Sequence, residues 1–293
     1  MSRFAGTISG VPSEPTASIV IPTRSRPGYL TVTLASVAPQ AALAGAEVLV
    51  INDGDDATTA DIAQRYGARV IALPPPGGAN AARNAGIEAA RADLIVLIDD
   101  DVEAPSGWLG AMLAGAGDAP DIDVFGGPIR ARLEGGGPRS CGREPAPITT
   151  LDLGPADRDA ELVWSANMAI RRRALKRVGR FDETIRIRGD EEDWERRYIA
   201  QGGRVRYLSG AGLEHRRAAT DATVGRLARA AYAQGRAARR YDVNKGTVPS
   251  LASELRTLLG CAWHIFRRRC ANGIVLAAHA AGRLREERAG RSR

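Results

Sequence analysis

Four short apolar runs fall within the first hundred residues, at 17–22, 47–51, 69–73 and 94–98, and each is continuous rather than alternating. A strand with one wet face alternates apolar and polar residues, whereas a strand covered on both faces is apolar throughout. All four therefore read as fully buried strands. Helix-like segments at 29–38, 57–66 and 80–90 separate them. Strand, helix, strand, helix is the signature of an α/β, doubly wound, mostly parallel sheet flanked by helices. In such folds ligands bind beyond the carboxyl ends of the strands.

Those ends carry polar residues. Pro22, Thr23 and Arg24 follow the first run, Asn52, Asp53 and Gly54 the second, and Asp99, Asp100 and Asp101 the fourth. Three adjacent carboxylates beyond a buried strand are costly unless something positive neutralises them. A hard divalent cation does so, held by one or two carboxylates and the phosphates of a substrate. An acidic cap on the helix after Pro105 is the competing explanation. The strand-end position, with Asp53 at a second strand end, favours the metal.

The second half is less regular. Residues 127–160 are rich in Gly, Pro and charge and read as either a mobile substrate loop or a passive insertion. A helix is expected at 166–177, and the acidic cluster Asp190, Glu191, Glu192 and Asp193 opens another that ends near Gly202-Gly203. Residues 204–208 alternate as a half-exposed strand. From there helices at 224–241, 251–268 and 274–287 run to the end, broken at Lys245-Gly246-Thr247-Val248-Pro249. The expected division is an N-terminal tail at 1–16, a catalytic domain at 17–215 and a basic helical extension at 216–293.

Charge follows this division. The chain carries a formal +7, yet residues 216–293 hold 17 Lys+Arg against 5 Asp+Glu, so the remainder is net acidic. Such a tail suits an anionic partner or is a solvated surface in an arginine-biased chain, Lys176 and Lys245 being the two lysines. Aromatic residues are few and unclustered, which disfavours nucleic acid. Three cysteines without paired spacing point to neither a zinc cluster nor a disulfide framework and fit a cytoplasmic compartment. The first residues lack the apolar core of a secretory signal, and no apolar run reaches the ~18 residues of a membrane span.

The order of short motifs is more specific. Ser18-Ile19-Val20-Ile21-Pro22-Thr23-Arg24 is followed by Val50-Ile51-Asn52-Asp53-Gly54 and Gly78-Ala79-Asn80-Ala81-Ala82-Arg83-Asn84-Ala85-Gly86. Then come Leu97-Ile98-Asp99-Asp100-Asp101, Ser165-Ala166-Asn167-Met168-Ala169, Gly179-Arg180-Phe181-Asp182-Glu183, Gly189-Asp190-Glu191-Glu192-Asp193-Trp194 and Leu213-Glu214-His215. Across roughly residues 17–215 the chain resembles a family 2 glycosyltransferase, inverting and of the GT-A fold. The resemblance implies an enzyme that moves a sugar from a nucleotide-diphosphate sugar to an acceptor hydroxyl, assisted by Mn²⁺ or Mg²⁺.

It also implies roles. Pro22, Thr23, Arg24 and Asp53 would hold the nucleoside, with Gly78 and Arg83 near the ribose or phosphates, unless Arg83 is an ordinary exposed helix arginine. Asp99 and Asp100 would face the donor. Asp101, with Asp99, would bind the metal, and His215 is the candidate third protein ligand, although a lone histidine is more often structural. The general base falls in the acidic cluster. The family pattern is Gly-Glu-Asp, whereas here Asp190-Glu191 reverses the pair, so Glu191 takes the base position, with Asp193 the rival register. Trp164, Ser165, Asn167, Glu192 and Trp194 would line the sugar or acceptor pocket, Trp194 being equally suited to the core.

The acceptor expected from the resemblance is a sugar, a lipid-linked acceptor or a small molecule. In the extension, Trp263, Ile265 and Phe266 run into Arg267-Arg268-Arg269. That pattern suits peripheral contact with the inner face of a membrane, a homodimer, or packing on the catalytic domain. The stripe Leu251, Leu255, Leu258 and Leu259 favours packing. Two other readings share the fold: a catalytically silent nucleotide-sugar-binding protein, and a nucleotidyltransferase, which expects a Gly-rich phosphate loop where Pro22-Thr23-Arg24-Ser25-Arg26-Pro27 stands.

Overall fold

The computed structural model describes residues 14–54, 56–73, 77–142, 146–185 and 190–291. The four apolar runs become parallel neighbours: β1 (Ser18–Thr23), β2 (Glu47–Asn52), β3 (Arg69–Ala72) and β4 (Leu94–Ile98). The chain crosses over through α1 (Pro27–Ala44), α2 (Ala57–Arg65) and α3 (Ala79–Ala89). Strand β1 sits between β2 and β4, pairing Ser18 with both Glu47 and Ile95. The register brings Thr23 level with Asn52, so the polar strand ends line up on one rim.

Alternate residues of β1 enter opposite layers, as the two-residue period of a strand requires. Ile19 and Ile21 pack with Leu30, Leu34 and Val37 of α1 and with Trp108, Leu109 and Met112 of α4 (Trp108–Asp118). Val20 belongs to the opposite layer of the core, with Leu49, Ile51, Ala82 and, from the far half, Trp194 and Tyr198. Helix α3 approaches closely because position 86 is glycine. A Cβ there would lie 2.2 Å from Val20 Cγ1. Strand β3 corrects one expectation: it is the edge of the sheet, and Arg69 and Ala72 are exposed rather than buried. Helix α1 also continues past Pro39 and ends at Gly45, which takes the left-handed conformation with φ 69°.

Beyond β4 the sheet becomes mixed. The helix expected at 166–177 is instead β9 (Asn167–Arg171) followed by the short α5 (Arg172–Val178). Residues of good helix propensity are extended there because β9 fills the gap between β4 and β6 (Val124–Gly126), antiparallel to both. Strand β10 (Val205–Tyr207) follows α6 (Asp190–Ala200) and runs parallel to β6, and β8 (Arg158–Ala160) closes the edge against β10. A second small sheet joins β5 (Val102–Glu103), β11 (Leu213–Arg217) and β7 (Ile129–Leu133). It sets His215 opposite Val102, one residue beyond Asp101.

The extension forms α7 (Val224–Asn244), α8 (Leu251–Arg268) and α9 (Asn272–Arg291). Helices α7 and α9 meet at backbone distance through two glycines. A Cβ on Gly235 would stand 2.0 Å from the His279 carbonyl oxygen, and one on Gly282 2.2 Å from that of Tyr232. Glu254 of α8 is buried and paired with Arg283 of α9 at 2.6 Å. The helices touch the catalytic half through Lys245–Glu192 at 2.9 Å and through Tyr29, whose hydroxyl donates to Asp221 at 2.7 Å. The leucine stripe of α8 is not the packing face: Leu251, Leu255 and Leu259 are exposed, and α8 turns Glu254 and Cys261 inward.

Candidate active site

The strand-end acids do not share one role. Asp100 is buried, and its two oxygens accept from the Thr23 hydroxyl at 2.7 Å and the Arg26 guanidinium at 2.6 Å. Burial pushes its carboxyl up to about 7 against the pull of Arg26, with Asp101 adding to the rise. Asp100 thus braces the loop between β1 and α1. Arg26 also donates to Asp101 at 2.7 Å and stacks on the Tyr29 ring, 4.3 Å from its centroid. A single guanidinium bridges two adjacent carboxylates, a geometry suited to its rigid fork.

Asp101 is buried as well and also receives Arg217. Burial opposes its ionisation, but His215, Arg217 and Arg26 together hold the carboxyl well below the usual carboxylate range. His215 Nε2 lies 3.1 Å from Asp101 Oδ1. The other ring nitrogen, Nδ1, is 3.1 Å from the Thr149 carbonyl oxygen, an acceptor only, so Nδ1 carries the proton of that bond. A neutral imidazole then aims a lone pair at a carboxylate lone pair. Arg217 Nη1, a donor that also pairs with Asp101, lies 3.3 Å from that Nε2, and a second proton or a cation would relieve the contact further. Burial lowers the imidazole pKa, yet Asp101 outweighs it and raises the value above the ordinary one.

Two further observations fit a metal. Asp101 Oδ1 is buried without a hydrogen-bond partner. One oxygen each of Asp99 and Asp101 and one nitrogen of His215 lie within 4.8 Å of one another, among the described residues the one such group of three. Two carboxylates and an imidazole form a donor set that a divalent cation can use.

Asp99 is half-buried and faces Arg83, 3.9 Å away. Arg83 is buried and receives support from Asn80 at 2.9 Å, which rules out an ordinary exposed helix arginine. The same helix anchors the segment before α6: Asn80 donates to the Asp182 carbonyl at 2.7 Å, and Asn84 exchanges bonds with the Phe181 backbone. Asp53 is buried, and its carboxylate accepts from the Gly77 and Gly78 amides at 3.1 and 2.9 Å. It therefore shapes the turn into α3, while Arg24 is exposed on the rim and Pro22 half-buried on β1.

A family model described as glycosyl transferase family 2 matches residues 18–179, more than half of the chain. The chain belongs to glycosyl transferase family 2. A pre-mycofactocin glycosyltransferase of Mycobacterium tuberculosis is 30% identical over 205 residues, 67% of this chain and 42% of that protein. The chain thus spans less than half the length of that relative. A mannosyltransferase from Pyrobaculum calidifontis, solved with GDP-Man and Mn²⁺, superposes with a TM-score of 0.54 at 15% identity, covering 93% of this chain and 88% of that one. GalNAc-T7, solved with UDP, GalNAc and Mn²⁺, gives 0.55 at 16% identity over 75% and 48% of the two chains. At these identities the likeness is one of fold: this family 2 chain has the GT-A architecture.

Within that architecture several expected pocket residues serve the framework. Trp194 is fully buried between Phe181 and Tyr198, with ring centroids 5.5 and 5.7 Å away, and its indole donates to the Gly179 carbonyl; it is core, not a sugar platform. Asn167 is fully buried and ties Trp108 Nε1 to the Pro128 and Ala211 carbonyls, and Ser165 is buried beside it. Glu192 is engaged by Arg196 and Lys245. Asp193 pairs with Arg197 at 2.9 Å, whose other nitrogens hold the Val178 and Arg180 carbonyls. Glu191 is half-buried on the first turn of α6, and the side chain of Asp190 and residues 186–189 lie outside the described set. Trp164 does reach the site's edge, donating to the Thr150 carbonyl next to Thr149.

Arg26 and Arg217 were missed by motif reading. A signal existed for Arg217: in β11, residues 215 and 217 share one face, so a ligand role for His215 implies Arg217 beside it. Arg216 points the other way, to Glu134 and Glu103.

Proposed function

We propose that this chain is an inverting glycosyltransferase acting on a nucleotide-diphosphate sugar, with a sugar, lipid-linked or small-molecule acceptor. The observation that carries the reading is the convergence of Asp99, Asp101 and His215, each offering one ligand atom within 4.8 Å of the others. Asp99, Asp101 and His215 would hold a divalent cation, Mn²⁺ or Mg²⁺. When bound, that ion supplies charge stabilisation for a diphosphate leaving group. Thr23, Arg24, Asp53 and Gly78 form the rim on which the nucleoside would rest, with Arg83 on the phosphate side. A cytoplasmic setting belongs to the same proposal.

In the transfer step the acceptor oxygen bonds to the anomeric carbon as the bond from that carbon to the diphosphate oxygen breaks. The electron pair leaves with the nucleoside diphosphate. The acceptor proton passes to a carboxylate, assigned to Glu191. The rival is Asp193, which pairs with Arg197, the clip that fastens α6 to the 178–180 segment.

The test is to titrate the purified chain with a panel of nucleotide-sugars in Mn²⁺ and then to follow transfer to candidate acceptors. Metal-dependent binding of one donor is the expected result. Absence of binding by every donor sinks the reading.

A further inference from the structure

Helix α8 exposes its most apolar face. Leu251, Leu255, Leu259 and Trp263 recur every four residues with Phe266 three further on, and they are 41, 45, 70, 50 and 83% exposed. On an α-helix that spacing forms one continuous stripe. Large apolar side chains usually occur singly on a protein surface, so five in one stripe mark an interaction site.

The charge on this helix has one sign. Its single acid, Glu254, is buried and held by Arg283, so it contributes nothing to the outer surface. Arg256 and Arg267 are exposed at the margin of the stripe, and Arg269 is exposed just past the helix end. The Arg268 guanidinium lies 4.9 Å from the Trp263 ring centroid. An apolar stripe edged by arginine, with tryptophan at the boundary, is the pattern of a helix lying in a membrane interface.

We propose that the outward face of α8 docks on an anionic phospholipid bilayer. Leu255, Leu259 and Phe266 would enter the acyl boundary, while Arg256, Arg267 and Arg269 meet lipid phosphates. Eighteen residues at 1.5 Å each make the helix about 27 Å long, enough for a stripe lying in the plane of the surface. No helix of the described residues is long and apolar enough to cross a membrane, so the contact is peripheral. A second copy of the chain is a poorer occupant. Two such faces would bring arginine margins together without an outward acid on either α8 to pair with them.

Vesicle flotation of the full chain tests this without donor or acceptor, so its outcome is separate from that of the glycosyl-transfer reading. Vesicles of phosphatidylcholine alone are compared with vesicles holding about a third phosphatidylglycerol, a fraction that gives a surface potential of the right sign and order. The wild-type chain should float with the anionic vesicles and lose binding as salt rises. Leu259→Asp with Phe266→Asp should reduce binding at least about tenfold with an unchanged melting temperature, since both side chains already face water. Arg256→Ser with Arg267→Ser should reduce it about thirtyfold, roughly fivefold per arginine, and flatten the salt dependence. The proposal is overturned if the wild-type chain ignores anionic vesicles or if the aspartate pair binds as well as wild type. It is equally overturned if the chain proves to be a dimer that the aspartate pair dissolves, with no lipid binding.

Discussion

His215 Nε2 and Asp101 Oδ1 stand 3.1 Å apart with the histidine's other nitrogen committed to the Thr149 carbonyl. Strand β11 delivers the imidazole by pairing His215 with Val102, and the backbone N–H of Arg216 donates to the Asp101 carbonyl at 2.8 Å. The two side chains are therefore fixed relative to each other by main-chain bonds. The pair is thus in place without an ion, as the proposed cation site requires.

Asp101→Asn and His215→Ala should each weaken Mn²⁺-dependent binding of a nucleoside diphosphate. A loss of at least about tenfold to a hundredfold is expected, the range that even an outer partner of a metal ligand commands. Calorimetric titration with Mn²⁺ and again in EDTA checks it. Identical affinities for wild type and both variants in Mn²⁺ would remove the metal from this site.

Glu191 and Asp193 should separate cleanly. Glu191→Gln is expected to leave donor affinity within about twofold while lowering turnover by about 10²- to 10⁴-fold, the usual contribution of a general base. Asp193→Asn loosens Arg197 and should cost no more than about 1 kcal/mol, because the pair is partly solvated. Steady-state rates and thermal melts on both variants decide the matter. Loss of turnover in Asp193→Asn with full activity in Glu191→Gln reverses the assignment.

Gly86→Ala should destabilise the fold by about 1–3 kcal/mol, as overpacking does. The new Cβ meets Val20 Cγ1 at 2.2 Å and Ile51 Cγ1 at 3.2 Å, on strands that cannot move without disturbing the sheet. Gly28→Ala, with nothing within 4 Å, is the control and should be nearly neutral. Melting temperatures report both, and equal values would show that α3 can shift away from the sheet at no cost.

Glu195 gives a stability profile with a definite sign. Its Oε1 accepts from the Val163 amide at 2.9 Å, but Oε2 is buried without a hydrogen-bond partner. Burial pushes the carboxyl well above the ordinary 4.5, only partly opposed by the Val163 N–H. As pH rises past that ordinary value the unfolded chain releases the proton while the folded chain retains it, so the fold loses stability with rising pH. Glu195→Gln keeps the acceptor for Val163 and removes the titration. Its melting temperature should gain on wild type steadily from pH 4.5 toward 8. A constant difference over that range would mean that Glu195 is ionised in the fold.

Much of the acidic rim of the candidate site was legible because its signals are local. A continuous apolar run followed at once by acids is visible in the chain, and the strand that carries Asp99, Asp100 and Asp101 fixes where they point. The same local reading misjudged 166–177, where sheet pairing overrides helix propensity, and α8, whose leucine stripe has the right period for a core helix. Periodicity reveals that one face differs from the other. It does not say which face finds a neighbour.

The sequence by itself therefore determined the α/β order of β1 to β4, the rim of polar strand ends and the family to which the chain belongs. Tertiary structure alone decided how the acids divide their work. Arg26 joins Asp100 to Asp101 across 74 residues of chain, and the short sheet of β5, β11 and β7 carries His215 and Arg217 to Asp101. These contacts depend on which buried charges end up within a few ångströms of one another. That distance is set by the packing of distant segments, and no spacing along the chain encodes it.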